Sequence, residues 1–243
     1  MRVSTERQNF VLTLSLSKGE DAARSRLMAF IIAVDGPAAS GKGTVASRLA
    51  ALYGYPMLDT GLLYRAVGVR LLDAGGELDN AVAAETAARG LDLAELEKPE
   101  VRTRQAGEAA SRVAVHPGVR AALFDLQRDF ALREPGSVID GRDIGTVIAP
   151  EAPAKLYVTA SPEVRADRRW KQLVGQGEAV AYDEILADIR KRDERDGGRA
   201  SAPMTQAPDA VLLDTSEMTI EQAFDAARRI VETARARSGN LPG

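Results

Sequence analysis

A three-layer α/β fold is what the sequence predicts: a five-stranded parallel sheet with helices on both faces. Three observations carry that prediction. Short apolar runs alternate with helix-like stretches along most of the chain, the rhythm of a parallel sheet wound by helices. The first run, FIIAV (30–34), is apolar throughout, as a strand buried on both faces must be. Glycine-rich GPAASGKG (36–43) then joins that strand to a helix, the setting of a phosphate-binding loop, or P-loop.

Taken in order, residues 42–54 read as a helix closed by Gly54, and YPMLDT (55–60) as a short second strand. Residues 61–75 form a helix ending at Gly75. Alanine-rich helices between about 79 and 133 break the alternation, which places a helical insert there. SVID (137–140) is a third strand running into Gly141. The fourth, AKLYVTA (154–160), meets Ser161-Pro162-Glu163, an N-cap followed by proline at the first helical position. Residues 182–196 are helical. AVLLDT (210–215) is the fifth strand, and Thr219-Ile220-Glu221-Gln222 opens the last helix with a capping box.

A chain of 243 residues holds one sizeable core, so 28–236 is expected to be a single domain. Residues 1–27 are expected to be a disordered extension, with Met28 a natural first residue of the fold, and 237–243 a flexible tail. A net charge of −3 speaks against a nucleic-acid partner, which needs a basic face. With no cysteine, disulfides and thiolate nucleophiles are excluded. The one histidine, His116, excludes multi-histidine metal sites; ahead of Pro117 it reads as a structural residue at a helix boundary. No apolar run has the length to span a membrane; a cytoplasmic location and a monomer are expected. Trp170, on the helix after strand four, reads as a packing residue.

The loop comprises Gly36, Pro37, Ala38, Ala39, Ser40, Gly41, Lys42, Gly43 and Thr44. A glycine-rich turn at a helix N-terminus gathers backbone N–H groups and partial positive charge, so phosphate binds there, and Lys42 adds a mobile cation. Gly43 stands where a hydroxyl usually follows the lysine, and Thr44 comes one position late. That hydroxyl normally touches Mg²⁺; without it the ion leans on nucleotide oxygens and waters. Among acids at strand ends, Asp140 is the best candidate to act through those waters, with Asp35 and Asp59 as others.

The acceptor is legible in the arginines. Arg65 follows DTGLLY, Arg142 lies in DGRD, and IRKRDERDGGR (189–199) carries more. A hydroxyl acceptor wants a base, whereas a phosphate acceptor is already nucleophilic and needs its charge neutralised. Planar guanidinium groups suit two mutually repelling phosphate chains. Transfer from nucleotide to nucleotide follows.

DGPAASGKGT, LDTGLLYR, DGRDIGT and RKRDERD, in that order, resemble the successive signatures of nucleoside-monophosphate kinases, and specifically of bacterial cytidylate kinases. The resemblance covers 29–236, and the G-K-G-T loop is itself typical of such kinases. It implies an ATP-dependent transferase acting on CMP, with dCMP as a second acceptor, in pyrimidine metabolism. It implies an NMP-binding insert (about 61–133), a mobile lid (about 189–202) and Mg²⁺ carried with ATP. Thr60, Arg65 and Arg142 would grip the CMP phosphate. In EAASRVAVHPGVRAAL (108–123), Ser111 and Arg120 would read the base together with Asp143. Arg192 and Asp196 would touch ribose and phosphate, Arg199 the nucleotide further on, and Arg195 ATP from the lid. Lys42, Arg142, Arg192 and Arg195 would neutralise charge during transfer.

Two departures stand out. LDLAELEKPEVRTRQ (91–105) is short for the insert seen in bacterial members, and Gly197-Gly198 loosens the lid hinge. Two other readings remain open at this level: a kinase of another small acceptor such as UMP or AMP, and a nucleotide-hydrolysing P-loop switch. The latter lacks any N-K-x-D guanine-reading motif.

Overall fold

The computed structural model describes residues 29–239; the expectation for 1–27 lies outside them, as does the end of the tail. β1 (Phe30–Asp35) is wholly buried: Phe30, Ile32 and Val34 face one side of the sheet, Ile31 and Ala33 the other. Five parallel strands pair in the order β2-β3-β1-β4-β5, with β2 at Met57–Asp59, β3 at Gly136–Gly141, β4 at Ala154–Thr159 and β5 at Val211–Asp214. The expected second strand, 55–60, is thus shorter. Pro56 lies ahead of it, and Asp59 caps the next helix, its side chain accepting from Gly61 N at 2.9 Å.

Helix α1 (Lys42–Tyr53) and the last helix, α8 (Ile220–Arg237), cover one face, through Val45 and Leu49 against Ala227 and Val231. The Thr219 capping box is formed as read. On the other face Ile144, Ile148 and Ala131 close over Ile31, Ala33 and Ile139. The insert builds its own core. α2 (Thr60–Asp73), α3 (Ala81–Arg89), α4 (Arg104–Val113) and α5 (Pro117–Ala131) meet at Leu63, Val67, Ala84, Ala109, Val113 and Leu123. Between α3 and α4 run two 3₁₀ turns, Leu93–Glu97 and Pro99–Arg102. α6 (Pro162–Gly175) and α7 (Tyr182–Gly197) pack together through Leu173, Ile185 and Ile189.

Ser161 caps α6, accepting from Val164 N. His116 stands at the N-terminus of α5 with Nε2 2.8 Å from Leu78 O, a structural contact. Trp170 packs on the α6–α7 core and donates to Val180 O. No helix among the described residues is long and apolar enough to cross a membrane.

Candidate active site

Everything converges on the C-terminal ends of β1 and β3, where neighbouring strands lead off in different directions and an open parallel sheet leaves a crevice. The loop after β1 has a backbone that only its own sequence allows. Gly36 has φ +145°, and a Cβ there would overlap the Val158 carbonyl of β4. Gly41, φ +88°, turns the chain into α1, which has neither a capping side chain nor an acid in its first turn. Its leading N–H groups are left for an anion. The loop is pinned from outside: Arg165 donates to Ala38 O at 3.3 Å, and Thr215 Oγ1 to Ser40 O at 2.9 Å. Arg168 donates to Thr215 O and Oγ1, bracing the same corner.

Lys42 Nζ lies 2.8 Å from Asp140 Oδ1, a buried carboxylate at the end of β3. Burial pushes the Asp140 carboxyl up, and Lys42 pulls it only partly back. Gly43 faces the same group, since a Cβ there would stand 3.3 Å from Asp140 Oδ2. The missing hydroxyl is therefore matched by a strand-end acid at the same spot.

Beside the loop opens a cavity of about 150 Å³. α2 presents Thr60, Gly61, Tyr64 and Arg65 on one helical face, and α4 contributes Ser111 between Ala110 and Ala114. Arg120 comes from the first turn of α5, Arg142 and Asp143 from the end of β3, and Arg192, Asp196 and Arg199 from α7 and its exit. Six basic side chains line it, Lys42 among them, against the three carboxylates of Asp59, Asp143 and Asp196. A surplus of cations in a partly dry cleft calls for an anionic ligand.

Asp196 is the hub. Its carboxylate, 1% exposed, accepts from Arg142 Nε and Ser111 Oγ at 3.1 Å each, is bonded by Arg199, and lies 3.8 Å from Arg192 Nε. Burial pushes this carboxyl up, but Arg142, Arg199 and Arg192 together outweigh it and hold it at about 2. Arg192 shows the reverse. Burial, then the neighbouring Arg142, lower it to about 10, and Asp196 does not compensate. Asp143 and Arg120 form a second buried ion pair, with the Tyr64 ring 5.8 Å from the Arg120 guanidinium. Burial raises the Asp143 carboxyl, and Arg120 offsets that in part.

Of the residues singled out in the sequence, Lys42, Thr60, Arg65, Ser111, Arg120, Arg142, Asp143, Arg192, Asp196 and Arg199 share this one cavity. Asp140 sits behind Lys42 and does not line it. Arg195 is also outside: its guanidinium pairs with Glu108 of α4 at 2.8 Å. Ala39, Ser40, Gly41 and Thr44 line a second hollow of about 420 Å³ on the far side of the loop. It is completed by Arg168, Arg169 and Gln172 of α6 and by apolar Val45, Met218 and Ala223.

Several positions went unread in the sequence. Tyr64 stands four residues after Thr60, on the same helical face, and that spacing could have flagged it. Arg165 makes a bidentate pair with Asp193 of α7 at 2.5–2.9 Å while holding Ala38 O, a link with no local signature. Nor did the sequence announce the π-helical turn Ile144–Ile148.

Comparison with known proteins adds a family. The model of the cytidylate kinase family matches residues 32–233. A cytidylate kinase of Caulobacter sp. (strain K31) is 89% identical, over 89% of this chain and 100% of that one. One from Xanthobacter autotrophicus (strain ATCC BAA-1158 / Py2) is 65% identical, over 85% and 99%. The crystal structure of an uncharacterized protein from Eubacterium ventriosum ATCC 27560 matches with a TM-score of 0.50 at 17% identity, covering 84% of this chain and 99% of that one. That likeness supports the fold alone.

Proposed function

The chain belongs to the cytidylate kinase family, and on that premise we propose that it moves the γ-phosphoryl group of ATP to CMP, and to dCMP, giving the diphosphate and ADP. The observation that carries this reading is the acceptor cavity itself. It opens beside the phosphate loop and joins an arginine cluster to a buried carboxylate–guanidinium pair.

Thr60, Arg65 and Arg142 would hold the CMP phosphate, with Arg192 and Arg199 adding charge. A cytosine presents an amino donor beside two acceptors. Asp143 would accept from the amino group while Arg120 and Ser111 donate to the ring acceptors; uracil reverses part of that pattern. Asp196 would hold the ribose while ordering its arginines. ATP would lie along the loop, its phosphates on the α1 N-terminus and Lys42, and its base in the hollow walled by Arg168, Met218 and Ala223.

Mg²⁺ fits this site as a hydrated ion. Asp140, a buried strand-end carboxylate beside Lys42 and Gly43, would act on the ion only through its waters, while nucleotide oxygens would hold it directly. Bound there with ATP, the ion would draw charge from the phosphate oxygens. The chain's own part is positioning and neutralisation: Lys42, Arg142 and Arg192, which line one cavity, would neutralise charge between the two phosphates, and no side chain needs to remove a proton. Arg195 would join only on leaving Glu108, which makes the 189–202 segment a lid that excludes water as it closes. The reading is of a cytoplasmic monomer.

ADP formation with ATP and a panel of CMP, dCMP, UMP and AMP tests the proposal. CMP should lead the panel. AMP outpacing CMP, or nucleotide hydrolysis indifferent to every monophosphate, overturns it.

A further inference from the structure

Asp35 ends β1 one residue before the phosphate loop, yet its side chain does not serve that loop. Its two carboxylate oxygens each accept one backbone amide, Ile144 N on Oδ1 and Gly145 N on Oδ2, both at 2.8 Å. These amides open the π-helical turn Ile144–Ile148, whose first carbonyl partner is Asp143 O, accepting from Val147 N at 2.8 Å. A π turn is an uncommon conformation that recurs at functional sites, and here it directly follows Arg142 and Asp143. Asp35 is 5% exposed and does not itself line the acceptor cavity.

The phosphate loop is fixed by other groups: Arg165 on Ala38 O, Thr215 on Ser40 O, and the close approach of Gly36 to Val158. The Asp35 carboxylate therefore acts on the acceptor side. We propose that Asp35 is a positioning residue for acceptor specificity: its two-pronged grip on the Ile144 and Gly145 amides sets where Asp143 and Arg142 stand relative to the acceptor nucleotide. This rests on the kinase reading above.

The geometry explains why the residue is an aspartate. An asparagine offers one acceptor oxygen, and its amino group would meet the second backbone N–H donor to donor. A glutamate keeps both acceptors but carries them one methylene further, into the space of the turn. Either change moves the Asp143 carboxylate while leaving the loop's own anchors in place.

The test is steady-state kinetics on full-length D35N with CMP and UMP as acceptors and ATP varied separately. The expected result is a KM for CMP at least tenfold higher, a CMP-over-UMP preference reduced at least fivefold, and a KM for ATP within threefold of wild type. In the D143A background, D35N should change the CMP-over-UMP preference less than twofold further, because its effect on base choice runs through Asp143. If D35N does not fold, D35E carries the test with the same expectation. Lower thermal stability with KM for CMP and base preference unchanged in a folded variant would overturn the proposal, as would equal losses for CMP and ATP. Failure of wild type to phosphorylate CMP would instead sink the kinase reading.

Discussion

Replacing Asp196 with asparagine removes one negative charge from the middle of Arg142, Arg199 and Arg192 while keeping nearly the same shape. The ordinary carboxyl value is 3.8, and the arginines hold Asp196 at about 2. That difference corresponds to about 2 kcal/mol of stability at neutral pH. Leaving three cations without their shared counter-charge adds to it, and breaking a buried ion pair from one side costs about 3–5 kcal/mol in drier sites. The cavity is open to water on one side, so D196N should lose about 2–4 kcal/mol at pH 7. Because the folded value is depressed, the contribution is fully present above the ordinary carboxyl range and fades as pH falls toward about 2. Urea unfolding of wild type and D196N, repeated from pH 7 to pH 3, reads both effects. The gap between the two proteins should narrow by about 1 kcal/mol over that range, since about half of the linked term is gone by pH 3. A gap under about 1 kcal/mol at pH 7, or one that does not change with pH, would show that Asp196 is not the charge that holds the arginines together.

Lys42→Met should reduce turnover at least about a thousandfold with the fold retained, because the lysine is the loop's mobile cation and pairs with Asp140; circular dichroism and single-turnover assays check both halves. Asp143→Ala should chiefly raise the KM for CMP and shrink the CMP-over-UMP preference, leaving ATP affinity within a few fold; an unaltered preference refutes its reading role. Gly36→Ala should abolish ATP binding and lower the melting temperature, because the new Cβ overlaps the Val158 carbonyl and the backbone there has φ +145°; calorimetry with a non-hydrolysable ATP analogue measures it.

The lining of the cavity beside the loop was legible because its residues sit in short, dense motifs. Thr60 and Arg65 lie in LDTGLLYR, Arg142 and Asp143 in DGRD, and Arg192, Asp196 and Arg199 in one arginine-rich run. Ile185, Ile189, Arg192 and Asp196 share one stripe of α7 by helical spacing, and the structure buries the first two against α6 and turns the last two into the cavity. Arg195 is one position off that stripe, which is why it reaches Glu108 instead.

By itself the sequence determined the strand–helix alternation, the glycine-rich loop, the caps of α6 and α8 and the residue types that line the cavity beside the loop, because each depends on neighbours a few positions apart. Pairings across long separations were decided only in three dimensions. Asp35 reaches amides 109 and 110 residues away, Arg165 spans 127 residues to the Ala38 carbonyl, and Ser111 meets Asp196 across 85. No local pattern encodes such contacts: whether a buried acid binds a metal, a lysine or two backbone amides depends on which strand ends the sheet order brings side by side. Asp35, Asp59 and Asp140 looked alike as strand-end acids; packing made the first a clamp on a π turn, the second a helix cap and the third the partner of Lys42.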